Sequence, residues 1–69
     1  MYSMTKEFSA KQSMILWLLH QGRTNAEIAR MIESSIKSVE ANINIIYRKI
    51  DVLNRVQAAV WFERNGSAK

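Results

Sequence analysis

Residues that can contact the edges of nucleic-acid bases, most of them through hydrogen bonds, recur between positions 37 and 48, mostly three or four residues apart. An asparagine amide pairs with adenine, arginine and lysine bind guanine or phosphate, glutamate accepts from the amino group of cytosine, and an alanine methyl contacts thymine. At about 100° per residue, a helix would bring these side chains onto one face. They are Lys37, Glu40, Ala41, Asn44 and Arg48. The segment therefore predicts a helix face that could read bases in the major groove of duplex DNA.

Short polar side chains and a cation flank this face or open the preceding segment. Hydroxyl and amide groups near helix starts, together with lysine, are typical contacts of the phosphate backbone. The residues expected to contact phosphate are Thr24, Asn25, Ser38, Asn42 and Lys49.

The chain offers little material for catalysis or metal binding. It has no cysteine, and His20 is its only histidine. A nucleophile–base pair or a zinc site needs several such residues. Glu27 and Glu33 could be imagined as an acid pair, but Glu27 is already explained as part of a helix cap. We therefore expect no enzyme activity, no metal and no cofactor, and a partly exposed His20 near a helix end.

The charge balance favours a polyanionic partner. The chain has 69 residues and a net charge of +4, which in so short a chain suits nucleic acid or an anionic membrane surface. Its longest apolar run covers residues 14–19, far fewer than the ~20 that a spanning helix needs. No secretory signal is visible either. We expect a cytoplasmic protein with no membrane partner.

Capping residues divide the chain into four helices. Ser9 with Gln12 and Thr24 with Glu27 fit the capping box, in which two side chains satisfy each other's backbone N–H groups. Asn54 with Gln57 is a related pattern, and Ser35 can cap the remaining helix. The absence of proline and the presence of only two glycines also favour helices. The predicted helices span residues 10–21, 25–31 or 32, 36–49 and 55–64.

The second and third helices, with the break at residues 33–35, form a predicted helix-turn-helix, whose second helix enters the major groove. Ala29 is small enough for the helices to touch, and Val39 lies on the apolar stripe that locks their crossing. Glu33 occupies a turn position that is often glycine, and costs about 1 kcal/mol if it needs a positive φ. The fold class is therefore a compact all-α domain over residues 8–66, with tails at 1–7 and 67–69.

Two pairs of large apolar residues are open to alternative interpretations. Met14 and Trp17 lie beside the buried stripe of the first helix, where they could extend the core or form an exposed patch for a protein partner. Trp61 and Phe62 are neighbours and cannot both face the core fully. One could pack inside while the other serves a dimer interface, where aromatic residues are enriched.

Residues 8 to about 60 resemble the LuxR/GerE-type helix-turn-helix domain of bacterial regulators, without gaps. The opening Phe8-Ser9 is similar to the family's Leu-Thr, and Ile15-Leu16 to its Val-Leu. Further matches are Gly22 with Asn25 and Glu27-Ile28-Ala29, then Ser35-Ile36-Lys37-Ser38-Val39-Glu40, and finally Arg48-Lys49-Ile50-Asp51-Val52 with Asn54-Arg55 and Gln57-Ala58. The chain differs from the family's usual residues at Gln12, Ser34, Asn42 and Asp51, where Glu, an apolar residue, His and Gly are common.

The resemblance implies a sequence-specific transcription regulator whose third helix, about 36–49, reads duplex DNA. It places base contacts on Glu40, Ala41 and Asn44, and it implies a dimer paired through the fourth helix. The alternative is a protein-interaction module on the same fold, an anti-activator or co-regulator that binds another transcription factor or an RNA polymerase subunit. The acidic Glu40 and the apolar Met14 and Trp17 favour this alternative.

Overall fold

The computed structural model describes residues 8–65, which form four helices and no strand. The helices are α1 (Ala10–His20), α2 (Asn25–Met31), α3 (Ile36–Ile50) and α4 (Arg55–Asn65). The predicted all-α fold is confirmed, and every helix boundary lies within one residue of its prediction. The predicted tails at 1–7 and 67–69 lie outside the described residues. None of the helices in the described part is long and apolar enough to cross a membrane.

Both predicted capping boxes are present. The Ser9 hydroxyl accepts from the Gln12 amide at 3.1 Å, and the Gln12 side chain accepts from the Ser9 amide at 3.3 Å. Thr24 and Glu27 make the same pair of bonds at the start of α2, at 3.1 and 3.0 Å. Each cap satisfies backbone donors that the helix itself cannot, which is worth about 1 kcal/mol. These bonds explain why α1 and α2 begin where the sequence indicates.

The caps of α3 and α4 are one-sided. The Ser35 hydroxyl accepts from the Ser38 amide at 3.0 Å. The Asn54 side chain accepts from the Gln57 amide at 2.9 Å, as predicted, but the Gln57 side chain accepts from the Leu53 amide at 2.7 Å instead of returning to Asn54. The bond from Leu53 pins the residue just before the cap, so the start of α4 is held over one more residue than a capping box would hold.

The core is built around α1, which packs against all three other helices. Its four buried residues are adjacent or close in sequence, because α1 is covered on more than one side: they are Ile15, Leu16, Leu18 and Leu19. In contrast, α3 buries a single stripe, formed by Val39, Ile43 and Ile46. The rest of α3 is therefore available to face away from the domain.

A residue with positive φ follows each of the first three helices within two positions of the helix end. Gly22 has φ +90°, where glycine carries no steric cost. Glu33 has φ +57° and Asp51 has φ +59°. The amide of Ser34 donates to the carbonyl of Ala29 at 2.7 Å, which closes the turn between α2 and α3. The strained conformation expected at Glu33 is therefore confirmed, at a cost of about 1 kcal/mol.

The contact of α2 with α3 depends on Ala29 and Val39. Ala29 is 4% exposed and Val39 is fully buried. A larger side chain at position 29 would push the helices apart, because tightly packed interiors have no room for added methylene groups. This packing holds α3 in one orientation across α2, as the predicted helix-turn-helix requires.

Candidate nucleic-acid interface

The outer face of α3 carries the five candidate base-reading residues, and all of them are exposed. They are Lys37, Glu40, Ala41, Asn44 and Arg48. The apolar stripe on the opposite side of the helix fixes this orientation, since turning α3 would expose three buried aliphatic residues. No other part of residues 8–65 covers the face. We call it the α3 face; base reading by its residues stays a prediction.

The α3 face has the dimensions and chemistry of a groove-reading surface. Lys37 and Arg48 lie 11 residues apart, which is about 16 Å along a helix. An α-helix fits the major groove of B-DNA, which is about 12 Å wide. The two cations stand at the ends of the face, and Glu40, Ala41 and Asn44 lie between them. The arrangement can contact phosphates at both ends and base edges in the middle.

One flank of α3 is bordered by the first turn of α1. The Lys11 ammonium donates to the Ser38 hydroxyl at 3.2 Å, and the Gln12 side chain donates to Asn42 Oδ1 at 3.2 Å. Asn42 Nδ2 donates in turn to the Ser38 carbonyl at 2.9 Å. Asn42, predicted as a phosphate contact, is thus half-buried, and both the oxygen and the nitrogen of its side-chain amide are hydrogen-bonded within the protein. Its observed role is to brace α3 against α1.

Lys49 lies farther along the same flank. Its ammonium lies 5.5 Å from the centroid of the Phe8 ring, in a cation–π contact, and the residue is exposed. Phe8 itself is buried, so its ring gives the lysine a fixed support. Lys49 can therefore present its charge beside α3, as its predicted contact with phosphate requires.

The start of α2 holds the remaining two candidates for phosphate contact. Thr24 is exposed, and its hydroxyl accepts from the Glu27 amide. Asn25 is half-buried, and its side-chain oxygen accepts from Arg55 Nη1 at 3.1 Å. Arg55 also donates to the carbonyl of Arg23. Sequence reasoning missed Arg55 as the residue that orients Asn25; its only signal was its place in the family motif.

Arg55 also affects a tyrosine on α3. Burial raises the pKa of the Tyr47 hydroxyl above its ordinary value, and the positive charge of Arg55 partly offsets that rise. Tyr47 packs against the core. The phenol therefore stays neutral at physiological pH, where a charge would weaken the packing of α3 on the core.

The structure separates the aromatic pair on α4. Phe62 is 3% exposed, and its ring centroid lies 4.9 Å from that of His20. Of the two, Phe62 is therefore the residue that packs inside, and its side chain leaves no surface for a dimer interface. Trp61 is half-buried, with its ring edge-on to Phe8 at 6.3 Å. Only Trp61 of the pair keeps surface for a partner.

The exposed apolar residues on α4 and just before it are different ones. Leu53 is 85%, Val56 71% and Val60 49% exposed. Val56 and Val60 are four residues apart and therefore lie on one side of α4, and Leu53 lies two residues before the helix begins. We call these three residues the α4 stripe. Sequence reasoning missed this stripe because the interface prediction was placed on the larger aromatic residues Trp61 and Phe62. The alternation with buried Ala58 and Phe62 was the available signal.

A second apolar surface lies between α1 and α2. Met14 is 49%, Trp17 45% and Met31 52% exposed. They line a groove of about 550 Å³, together with Ala10, Lys11, Leu18 and Ile32. We call this the α1–α2 groove. Of the two interpretations of Met14 and Trp17, the exposed patch is the one that the structure supports.

His20 serves the packing of α1 on α4. Its ring contacts Phe62, and its Nε2 is hydrogen-bonded to the Glu63 carboxylate. Within residues 8–65, no three histidine, aspartate or glutamate side chains gather where they could hold a metal ion.

Comparison with known proteins assigns a family to this geometry. Residues 6–62 match the model of the family described as bacterial regulatory proteins, luxR family. The match includes α1, α2, α3 and most of α4, and thus the whole α3 face.

Individual relatives agree with the family match. The chain is 42% identical over 55 residues to the putative HTH-type transcriptional regulator YhjB of Escherichia coli, covering 80% of this chain and 28% of the relative. It is 41% identical over 60 residues to the transcriptional regulatory protein LiaR of Bacillus subtilis, covering 87% of this chain and 28% of the relative. It is 36% identical over 56 residues to the uncharacterized response regulatory protein YgeK of E. coli, covering 81% and 38%. The matched part thus spans roughly a third of these relatives.

Proposed function

Because the chain belongs to the luxR family of bacterial regulatory proteins, we propose that it is a transcription regulator that binds specific sites in duplex DNA in the bacterial cytoplasm. The exposed α3 face is the observation that carries this proposal. In a helix-turn-helix, the second helix lies in the major groove and its outer side chains contact base edges. Here that helix is α3.

The residues of the α3 face have separate roles in this proposal. Asn44 pairs with an adenine through two hydrogen bonds, and Ala41 contacts a thymine methyl group. Glu40 accepts from a cytosine amino group. Lys37 and Arg48 bind guanine or phosphate at the two ends of the helix. The middle of α3 therefore supplies most of the sequence preference.

Phosphate contacts orient the domain on the duplex. Ser38 and Lys49 lie on the α1-bordered flank of α3, and Thr24 and Asn25 lie at the start of α2. The Asn25 oxygen is engaged by Arg55, so its amide N–H groups are the part that can donate to a phosphate oxygen. Such contacts set the register of the protein but carry no sequence information.

We further propose that two copies bind DNA as a symmetric dimer joined through the α4 stripe. An isologous interface needs one self-complementary surface, and the exposed Leu53, Val56 and Val60 provide it. Trp61 lies beside them as a secondary contact. The two α3 helices would then enter successive major grooves, about 34–36 Å apart.

The salt dependence of DNA binding tests this proposal. Fluorescence anisotropy with a labelled random duplex, at 50 and at 200 mM salt, measures how many phosphates are neutralised. We expect binding at 50 mM that weakens steeply with salt, and a much weaker response for the double variant Lys37→Glu/Arg48→Glu. The matched control Arg64→Glu changes an exposed cation on α4 and should behave more like the wild type. A wild-type protein that fails to bind at 50 mM salt would overturn the proposal.

A protein-interaction module is the second candidate function, and the α1–α2 groove is the observation that favours it. Exposed Met14, Trp17 and Met31 could receive another regulator or an RNA polymerase subunit. The acidic Glu40 on the α3 face is also compatible with a non-DNA partner. In this case the chain would act as an anti-activator or co-regulator. If the wild-type protein does not bind the duplex in the anisotropy experiment, this function becomes the better account.

A further inference from the structure

Lys11 lies at the edge of the α3 face although it belongs to a different helix. It is the second residue of α1 and is exposed, and its ammonium donates to the Ser38 hydroxyl at 3.2 Å. Ser38 lies in the first turn of α3, 27 residues farther along the chain. The contact brings a positive charge from α1 to the flank of the helix that is proposed to enter the major groove.

The bond to Ser38 uses only part of the hydrogen-bonding capacity of the Lys11 ammonium and does not neutralise its charge. Its hydrogen-bond partner in the described part of the chain is a neutral hydroxyl, which leaves the positive charge without a carboxylate. An ammonium group carries three N–H donors, and Ser38 accepts one of them. The Ser38 hydroxyl, in turn, accepts from Lys11 and still has its own hydrogen to donate. Both groups can therefore donate to one anionic oxygen placed between them.

Lys11 is also the first member of a row along this flank. Gln12 bonds to Asn42 in the middle, and Lys49 lies over Phe8 at the far end. From Ser38 to Lys49 the helix advances about 16 Å. Each strand of B-DNA carries one negative charge per 3.4 Å of axis, so a backbone that follows the flank would pass both cations.

We propose that Lys11 and Ser38 together bind one backbone phosphate of the duplex whose bases the α3 face reads. The ammonium neutralises the phosphate, and the hydroxyl donates to one of its oxygens. The first turn of α1 then forms one side of the DNA interface, and it is also the start of the central core helix. This assignment rests on the proposed function, and it adds Lys11, which the sequence did not suggest, to the predicted phosphate contact of Ser38.

Substituting Lys11 tests the assignment through the salt slope of DNA binding. Neutralising one phosphate contributes about −0.9 to the slope of log K against log salt concentration. We expect Lys11→Gln to reduce the magnitude of the slope by about 0.9 for each bound protomer, and to weaken binding to all duplex sequences by about tenfold for each protomer at 0.1 M salt. Lys11→Arg keeps the charge and should keep the wild-type slope. The matched control Arg64→Gln should leave the slope unchanged.

Ser38 supplies a second, uncharged readout. Ser38→Ala should weaken binding to all sequences without changing the salt slope, and its effect should shrink in the Lys11→Gln background, because the two groups share one ligand. Thermal unfolding of each variant separates loss of binding from loss of fold. A wild-type slope in folded Lys11→Gln would overturn the assignment while leaving the proposed function in place. Failure of the wild-type chain to bind would overturn the proposed function and this assignment with it.

Discussion

The outward sides of α3 and α4 are opposite in chemistry. The α3 face is charged or polar apart from the small Ala41, although Ile36, the first residue of α3, is also 46% exposed. On α4 and its start, Leu53, Val56 and Val60 form an exposed apolar stripe. The α3 face is suited to a hydrated polyanion, and the α4 stripe is suited to another apolar surface. The proposed function accordingly assigns DNA reading and dimer assembly to different helices of one small domain.

Of the predicted effects, the loss of stability on truncating Phe62 should be the largest. Phe62 lies on the buried side of α4, so the substitution tests the contrast between the buried and exposed sides of this helix. We expect Phe62→Ala to lower the free energy of unfolding by about 3–5 kcal/mol, from lost burial and the cavity left behind. For a domain of this size, that loss is comparable to the whole stability. Urea denaturation followed by circular dichroism measures it.

Val60→Ala is the matched control on the same helix. At a protein concentration low enough to keep the chain monomeric, it should change the free energy of unfolding by about 0.5 kcal/mol or less. If the two substitutions cost the same, the assignment of Phe62 to the core and Val60 to the surface is wrong.

Charging the α4 stripe should abolish the proposed dimer. We expect Val56→Glu/Val60→Glu to be monomeric by sedimentation, because four buried carboxylates would face each other across the two-fold axis. Affinity for a duplex with two half-sites should fall by about 10²-fold or more, through loss of bivalency. Affinity for a single half-site should change much less. A wild-type protein that is already monomeric on and off DNA would contradict the role of the stripe.

The two helices also differ in how far their sequences predicted them. The apolar residues of α3 recur at Val39, Ile43 and Ile46, so the pattern alone indicated which side faces inward. On α4, apolar residues lie on several sides. The contact between Phe62 and His20, 42 positions apart in the chain, decides which of them are buried. Tertiary packing of this kind leaves no periodic signal.

Contacts between side chains were the least predictable part of the site. The types of residue on the α3 face followed from the sequence, but the engagement of Asn42 by Gln12, and of Asn25 by Arg55, did not. Each of these bonds joins residues 30 positions apart. Sequence spacing reports neighbours within a helix and is silent about neighbours across helices.

Glu40 is the one acidic residue on the α3 face. Removing its charge leaves only the positive charges of Lys37 and Arg48 on this face. We expect Glu40→Gln to bind random duplex DNA several-fold more tightly, by up to about tenfold, because a repulsion from phosphate is lost. Preference at one C·G position should weaken at the same time. Anisotropy titrations against random and selected duplexes measure both effects. Unchanged affinity for random DNA would indicate that Glu40 lies outside the groove.

The smallest effect concerns the turn that fixes α3 across α2. Glu33→Gly should raise the free energy of unfolding by up to about 1 kcal/mol, because glycine adopts positive φ without steric cost. Asp51→Gly is the comparison, since aspartate tolerates the left-handed region better than glutamate does. A smaller gain at position 51 than at position 33, measured by thermal unfolding, fits the account. A loss of stability in Glu33→Gly would show that the turn carries no such strain.

Selection of bound sequences from a random duplex pool tests most directly whether the α3 face reads DNA. The wild-type chain should enrich a defined site, and Asn44→Ala should lose preference at one A·T position at a cost of about 1–3 kcal/mol, while it keeps the preferences elsewhere. No enrichment by the wild-type chain, or an identical site selected by folded Asn44→Ala, would contradict the account.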